Sequence, residues 1–188
     1  MTTLLVRSVR FSLVWILAVG LAWPLATTVV GGLLFPHRAT GSVVVRDGVA
    51  VGSELVGQPF VSDRYLIGRP STCAFDPFAL AGSNQAASNP DLRTRAAAAS
   101  AAIAAREGVA REVIPVELVA ASGSCIDPDL TVPGAALQLP RIARARKLPV
   151  DRVEAVLTAQ LRGTGPLALG PARVNVLAFN LALDDLQR

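Results

Sequence analysis

The stretch Phe11–Phe35, FSLVWILAVGLAWPLATTVVGGLLF, decides how this chain is organised. Its 25 residues include no charged side chain, and Arg10 and His37 stand close on either side. At ~1.5 Å per residue a helix of this length is about 37 Å long, whereas the hydrocarbon core of a bilayer is about 30 Å thick. Tilt, or a bend at Pro24, which has no backbone N–H, can absorb the excess. We therefore interpret the stretch as one transmembrane helix.

A cleaved signal peptide is the main alternative, and the stretch fits it poorly. The apolar region of a signal peptide is about 7–15 residues long, and no clear A-x-A site precedes the end of this apolar run. The predicted organisation is a lead at residues 1–10, a transmembrane helix at 11–35 and one domain at 36–188. That last part is long enough for a single domain with its own core, and not comfortably for two.

The charge distribution argues against a nucleic-acid partner. Beyond residue 36 the chain has 16 basic and 14 acidic residues, a net charge of about +2. No basic patch is interleaved with aromatic residues, as a nucleic-acid surface would require. The charges that flank the apolar stretch are nearly balanced, with Arg7 and Arg10 before it and Arg38 and Arg46 after it. Long domains translocate largely regardless of charge, so the flanking charges hardly distinguish a cytoplasmic N-terminus with an extracytoplasmic domain from the reverse orientation.

Small residues recur at every fourth position of the predicted membrane helix, at Ala18, Ala22 and Ala26. Residues spaced in this way lie on one side of a helix and allow another transmembrane helix to approach closely. The pattern predicts a packing face for a membrane partner, although an alanine-rich composition also produces such stripes by chance.

The remaining chain predicts a mixed fold of helices and short strands, of the α+β or mixed α/β class. Asp47-Gly48 between runs of valine indicates a β-hairpin. A segment rich in Gly, Pro, Ser and Asn then runs to Pro90. The further elements that we predict are a helix from Asn89 to Gly108, a buried strand at 113–119, a helix capped by Thr131 that includes 135–146 and has a bend or an early first turn at Pro140, a helix from Asp151, and a strand at 174–178.

The chain lacks the residues that most enzymes use. His37 is the single histidine and lies at the membrane boundary, so a Ser or Cys nucleophile has no base nearby. Lys147 is not part of a phosphate-binding GxxxxGK[ST] loop. Asp127 and Asp129 flank a proline, which favours a role in a turn over acid–base catalysis. We expect no catalytic residue, no metal site and no directly bound cofactor.

Polar side chains within the Gly/Pro-rich segment are the candidate recognition residues. Such side chains either satisfy the backbone of their own loop or contact a partner, and both interpretations remain open. The two cysteines can form a disulfide if the domain lies outside the cytoplasm, or remain as two buried thiols. The residues concerned are Gln58, Tyr65, Arg69, Ser83, Asn84 and Asn89, with Cys73 and Cys125.

A series of motifs, in order along nearly the whole chain, resembles the C chain of the bacterial potassium-transporting P-type ATPase, the KdpC family. The family also has one N-terminal membrane helix. Each motif alone is weak, and their joint order and spacing are highly specific. The motifs are GSELVGQ at 52–58, GRPS at 68–71, GSN at 82–84, SNP at 88–90, VELVAASGS at 116–124, QLPRIARAR at 138–146 and RVNVLAFNLALD at 173–184.

The resemblance implies a non-catalytic subunit with its soluble domain on the extracytoplasmic side of the cell membrane. Its partners would be a KdpA-like channel subunit, a KdpB-like ATPase subunit and a small KdpF-like peptide. The family is described as a catalytic chaperone that raises the ATP affinity of the B subunit, so ATP would be reached through the complex. The alternatives from the residues alone are an independent membrane-anchored surface enzyme and a solitary adaptor domain.

Two departures from the family pattern are visible. The chain reads AGSNQAASNP at 81–90 where the family commonly reads GGSNLGPSNP, and Cys125 stands where the family usually has a small residue. Since Cys73 and Cys125 both lie in motif-rich loops, we hypothesise that they form a disulfide.

Overall fold

The computed structural model describes residues 2–163 and 170–187. The chain divides into two compact units, Met1–Val43 and Val44–Arg188. The first unit is helical, and its long helix, Thr2–Leu34, has a mean hydropathy of 2.0 and is long and apolar enough to cross a membrane. Its parts are α1 (Thr2–Trp15), a π-helical segment (Ile16–Ala22) and α2 (Trp23–Leu34), with the short α3 (Pro36–Ala39) after it. The helix begins at Thr2, so residues 2–10, which the sequence predicted as a separate lead, are part of it.

The π-helical segment is explained by Pro24. A proline ring in a helix clashes with the carbonyl four residues earlier, here that of Gly20. In the π segment the hydrogen bonds reach one residue further back, as in the bond from the Trp23 N–H to the Ala18 carbonyl. The wider turn gives the ring room. Where the sequence allowed a bend at Pro24, the structure has this widened turn.

The second unit alternates short strands and helices. A hairpin of β1 (Val43–Arg46) and β2 (Val49–Ser53) leads into it, and Asp47 and Gly48 at its tip have φ of 50° and 78°, as the Asp-Gly signal predicted. The elements that follow are α4 (Pro90–Glu107), a 3₁₀ turn (Arg111–Val113), α5 (Val116–Val119), β3 (Asp129–Thr131), α6 (Val132–Ala136), α7 (Leu139–Arg146), α8 (Val150–Ala159), β4 (Leu161–Arg162), β5 (Arg173–Asn175) and α9 (Val176–Asp185).

Helix α4 has the ends that its sequence predicts. The side chain of Asn89 accepts a hydrogen bond from the Asp91 N–H (2.9 Å), and Pro90 occupies the first turn, where its missing N–H costs nothing. Gly108 ends the helix with φ of 71°, a left-handed conformation that glycine adopts without strain. Between β2 and α4 the chain forms turns and irregular structure, the long segment that its Gly and Pro content indicates.

The core of the second unit lies between an antiparallel sheet of order β3-β5-β4 and helices α7, α8 and α9. Val174 at the centre of the sheet pairs with Leu130 on one side and Leu161 on the other. Phe179 of α9 and Leu66 of the irregular segment are fully buried in the same core. One side chain of the irregular segment is thus a core residue, so that segment is part of the folded unit.

One strand prediction is wrong, and a second is right only at its start. Residues 113–119 form the end of a 3₁₀ turn and the one-turn helix α5, and Val116 is 73% exposed. The valines there, at 113, 116 and 119, recur at every third position, a spacing that fits the helical turn beginning after Pro115. The strand predicted at 174–178 ends at Asn175, because the Asn175 side chain accepts a hydrogen bond from the Ala178 N–H (3.0 Å) and begins α9.

The helix predicted around Pro140 is divided in two. Helix α6 ends at Ala136, and Pro140 lies in the first turn of α7, as the predicted early first turn at this proline requires. Thr131 stands at the N-cap position of α6, but its hydroxyl donates to Glu117 and does not cap the helix. Its side chain therefore joins β3 to α5.

Candidate functional site

The polar residues of α7 and α9 hold the irregular segment in place. Gln138 accepts a hydrogen bond from the Ile67 N–H (3.0 Å) and donates one to the Ile67 carbonyl (3.0 Å). Asn180 pairs in the same two-way manner with the N–H and carbonyl of Leu66, at 2.8 and 3.0 Å. Both amide side chains are buried. They satisfy buried backbone groups that have no strand or helix neighbour to bond with.

Arg141 links the same segment to α4. Its side chain is 5% exposed, and its Nε lies 3.0 Å from the Glu107 carboxylate, whose side chain is 0% exposed. Its Nη1 donates to the carbonyls of Asp63 and Tyr65, and its Nη2 donates to Gln138 (2.9 Å). A buried charge is stable only when it is paired and hydrogen-bonded, and this guanidinium meets both conditions.

Arg146, the last residue of α7, makes a second set of contacts. Its Nη2 lies 2.7 Å from the Asp184 carboxylate, and its Nε donates to the Arg64 carbonyl (2.7 Å). The guanidinium carbon lies 5.0 Å from the ring centre of Tyr65, whose hydroxyl donates to Asp184 (3.2 Å). The Tyr65 ring also contacts Phe60, with 5.4 Å between ring centres. Tyr65, a predicted recognition residue, is therefore held within the fold by both ends of its side chain.

Gln58 and Asn89 also brace their own loops. Gln58 donates to the Val51 carbonyl (3.1 Å) and lies directly against Gly52, where a Cβ would come within 1.8 Å of the amide nitrogen. Any larger residue at position 52 would displace that amide. Asn89 caps α4, as described above. The contacts of both side chains are therefore internal to the second unit.

Ser83 and Asn84 lie at the surface of the irregular segment. Asn84 is exposed and has φ of 50°, a left-handed conformation that asparagine tolerates better than most residues. Ser83 beside it is half-buried. Neither residue is joined to the group around α7 and α9, so their predicted partner contact stays a prediction.

Arg69 lies in a charged cleft of about 220 Å³ that carries both signs of charge. Its Nη1 is 3.0 Å from Asp127, which also accepts from the Asp129 N–H (3.1 Å), so Asp127 has the turn role that the sequence favours. The pKa of the Asp129 carboxyl is raised, mainly because burial disfavours its charged form. A hydrogen bond from Asn175 opposes this rise, and the charge of Asp127 adds to it.

Among the described residues, 2–163 and 170–187, no three His, Cys, Asp or Glu side chains meet so as to hold a metal ion.

Cys73 and Cys125 are joined in a disulfide, with 5.8 Å between their Cα atoms. Cys125 is fully buried and Cys73 is half-buried, so the bond is largely sheltered from solvent. It connects the irregular segment to the turn before β3 across 52 positions of sequence.

The same region contains an apolar cavity of about 310 Å³ against α4. Gln58 and Arg69 line it together with Phe60, Phe75 and Ile103.

The small-residue stripe of the first unit crosses the π-helical segment. Ala18 and Ala22 lie within that segment and Ala26 lies in α2, and all three are exposed. An α-helical turn holds about 3.6 residues and a π-helical turn holds more, so a spacing of four stays near one turn in both. A shallow groove beside Ala26 is lined by Trp23, Thr27, Val30 and Gly31.

Sequence reasoning missed the side chains that organise this region: Gln138, Arg141, Arg146, Asn180 and Asp184. One signal was present. Asn180 is the single amide in the apolar run VLAFNLAL, and an amide on a buried helix face must find partners inside the protein. Arg141 stands next to Ile142 on a short helix with the same implication. Their partners, the backbone groups of residues 63–67, are distant in sequence and have no pattern that reveals them.

Comparison with known proteins gives one consistent answer. The sequence model of the family described as "KdpC: K+-transporting ATPase, c chain" matches residues 5–185. A potassium-transporting ATPase KdpC subunit from Xanthomonas oryzae pv. oryzae is 48% identical over 177 residues, covering 94% of this chain and 85% of that protein. KdpC subunits from Shewanella putrefaciens (44% identical, 97% and 92% covered) and Methylorubrum populi (45% identical, 90% and 90% covered) are similar over comparable lengths.

Proposed function

Because this chain belongs to the KdpC family, the c chains of K+-transporting ATPases, we propose that it is the non-catalytic accessory subunit of a high-affinity potassium uptake pump. In this proposal the helix Thr2–Leu34 spans the cell membrane, and the second unit lies outside the cytoplasm near the ion entrance. It stabilises an assembly with a KdpA-like channel subunit, a KdpB-like ATPase subunit and a KdpF-like peptide.

The observation that carries the accessory role is the use of the buried polar side chains. Gln138, Arg141 and Asn180 are committed to contacts with backbone groups of the irregular segment and with Glu107. In a catalytic site, comparable groups would be aimed at a cavity where a substrate could reach them. Here they fix the shape of a surface, which is what a subunit that acts by contact requires.

The disulfide supports an extracytoplasmic position for the second unit. Disulfides persist in oxidising compartments and are rare in the cytosol, where thiols are kept reduced. Cys73 and Cys125 are both in the second unit. The balance of charges around the membrane helix favours neither orientation, so the disulfide is the stronger support for placing this unit outside.

A role in ATP affinity, described for the family, has to act at a distance in this arrangement. A unit outside the membrane cannot contact ATP in the cytoplasm. Coupling through the assembly needs only that the subunit bind one conformation of the pump more tightly than another. By reciprocity, ATP bound to the ATPase subunit then tightens the binding of this chain.

Complementation tests the pump role. In cells whose own c chain is deleted and whose other pump subunits are retained, expression of this chain should restore growth at limiting potassium. An independent surface enzyme or a solitary adaptor would not replace a missing pump subunit. A chain that is present in the membrane at normal amounts and leaves growth at limiting potassium unrestored would contradict the proposal.

The stripe Ala18, Ala22 and Ala26 is our proposed contact with the membrane helices of the pump. Replacement of all three by Leu should reduce the amount of the other subunits that co-purifies, because larger side chains prevent close packing of helices. The matched control replaces Leu17, Leu21 and Leu25, one position away on the same exposed helix, by Ile. Equal recovery of the other subunits with the leucine-substituted stripe would exclude this face.

A further inference from the structure

Residues 71–81 form a closed loop, which we call the Phe78 loop. The Thr72 hydroxyl donates to the Ala81 carbonyl and joins its two ends. The Ser71 hydroxyl accepts from the Phe75 N–H (2.9 Å), and the disulfide at Cys73 fastens the loop to the turn before β3. These contacts hold the loop in one shape without help from a helix or a strand.

Phe78 is held outward at the tip of this loop. Its side chain is 97% exposed. The Asp76 carboxylate accepts a hydrogen bond from the Phe78 N–H (2.8 Å), and the Asp76 carbonyl accepts from the Ala79 N–H (3.2 Å). Burial of a phenylalanine side chain stabilises a protein by about 1.5–3 kcal/mol, and this protein forgoes that gain within a well-braced loop.

The loop also contains backbone strain. Ala74 and Phe75 have φ of 52° and 62°, left-handed conformations that cost about 1–2 kcal/mol each in residues with a Cβ. Gly82 after the loop packs so closely on the Gly123 backbone that a Cβ there would lie 2.9 Å from the Gly123 carbonyl oxygen. Strain of this kind persists only where the surroundings fix the conformation.

The surroundings of the loop indicate the chemistry of what covers Phe78. No Lys, Arg or His occurs between Arg69 and Arg93, and the exposed charge within the loop is that of Asp76. Segments that bind anionic lipid carry clusters of basic residues, and this segment has none. An apolar cavity of about 310 Å³ adjoins the loop through Phe75; Phe60 and Val61 line it too, and Arg69 and Arg106 are also in its lining. Val61 is itself 85% exposed.

We propose that Phe78 is the residue by which this unit docks into an apolar pocket on another protein subunit of the pump. The pocket has N–H donors or basic side chains at its rim, opposite Asp76. Exposed aromatic residues on rigid supports are the usual centres of binding energy in protein interfaces. Because the loop is fixed before binding, little conformational entropy is lost on docking. The proposal rests on the proposed function, since it requires that the chain be part of a multi-subunit pump.

Site-specific photo-crosslinking in the assembled complex tests this docking. The variant Phe78→benzoylphenylalanine is expressed with the other pump subunits in cells, irradiated, and compared with Val113→benzoylphenylalanine, which places the same probe at a residue that is 59% exposed elsewhere. We expect an adduct with another pump subunit from position 78 and none from position 113. Adducts from position 78 with a second copy of this chain, with lipid, or with no molecule would overturn the proposal.

A substitution separates loss of docking from loss of folding. Phe78→Asp should accelerate dissociation of the other subunits by roughly tenfold or more, whereas Val113→Asp should leave it unchanged. The unfolding midpoint should be the same in both variants, because neither side chain is buried. If the unmodified chain retains the other subunits and Phe78→Asp retains them equally, this inference alone is wrong. If the unmodified chain retains none, the proposed function fails as well.

Discussion

Replacement of Arg141 by Met should lower the free energy of unfolding of the second unit by about 3–5 kcal/mol. The change removes one of the two arginine partners of the buried Glu107 carboxylate, the other being Arg106, and it removes donors from the carbonyls of Asp63 and Tyr65. Methionine has nearly the same helix propensity as arginine, so α7 itself is not weakened. Urea unfolding of the full-length chain in mild detergent, followed by circular dichroism, measures the loss.

Arg144→Met is the matched control for this prediction. Arg144 lies on the same helix and is exposed, so its replacement should change the free energy of unfolding by no more than about 0.5 kcal/mol. Hydrogen exchange adds a local measurement. The N–H group of Ile67 should exchange faster in Arg141→Met, because Gln138, which accepts its hydrogen bond, loses the neighbour that orients it. Equal stability of the two variants would show that Arg141 does not hold the segment.

Reduction of the disulfide should destabilise the second unit by about 4 kcal/mol. The bond closes a loop with a sequence separation of 52, and chain entropy in the unfolded state assigns about that value to a loop of this length. Unfolding of the same full-length chain with and without a phosphine reductant measures the difference without any change of sequence. The loss should appear as a lower urea midpoint.

The double variant Cys73→Ser, Cys125→Ser is the control for the reductant. It should unfold at a lower midpoint than the oxidised chain, and the reductant should not change that midpoint further. Thiol labelling under denaturing conditions verifies which samples carry the bond. An oxidised chain whose unfolding midpoint is insensitive to the reductant would mean that the Cys73–Cys125 link does not stabilise the fold.

The sequence predicted the elements whose signals are local. The hairpin at Asp47-Gly48 needs two adjacent residues that accept positive φ, and α4 needs a cap at Asn89 and a stop at Gly108. Each of these signals lies within a few residues of the structure that it specifies. The long apolar helix, which could cross a membrane, was equally accessible, because its apolar composition alone identifies it.

The failures arose where tertiary contacts override local pattern. The valines of residues 113–119 have high strand propensity, but the chain turns at Pro115 and Glu117 accepts hydrogen bonds from Thr131. Strand propensity mainly expresses packing on a half-buried sheet surface, and in the part of the chain that the structure describes no strand pairs with this segment. In the same way, the capping side chain of Asn175 ended β5 where the apolar pattern continued.

The candidate site was predicted in part. Gln58, Tyr65, Arg69 and Asn89 were selected as polar residues of a Gly/Pro-rich segment, and the structure shows the bracing contacts of each. Their partners could not be predicted, because amide and guanidinium groups on α7 and α9 reach backbone atoms more than 70 positions away. Phe78 was not selected, since an exposed phenylalanine and a core phenylalanine look alike in sequence.

These features describe a subunit that acts by presenting a fixed surface. Buried amide and guanidinium groups shape the irregular segment from inside, and the disulfide fastens its far end. The outcome is a loop that holds Phe78 in solvent at the energetic cost of local strain. In the proposed function, a rigid surface of this kind would pass the conformation of the partner subunits on to the ATPase subunit.

The composition of the purified complex is the most direct test of this account. The full-length chain carries an affinity tag, is expressed with the other subunits of its pump, and is extracted from membranes in mild detergent. Mass spectrometry of the eluate should find a channel-like chain and a P-type ATPase chain in constant ratio to this chain. Recovery of this chain alone from membranes that contain both other subunits would contradict the account.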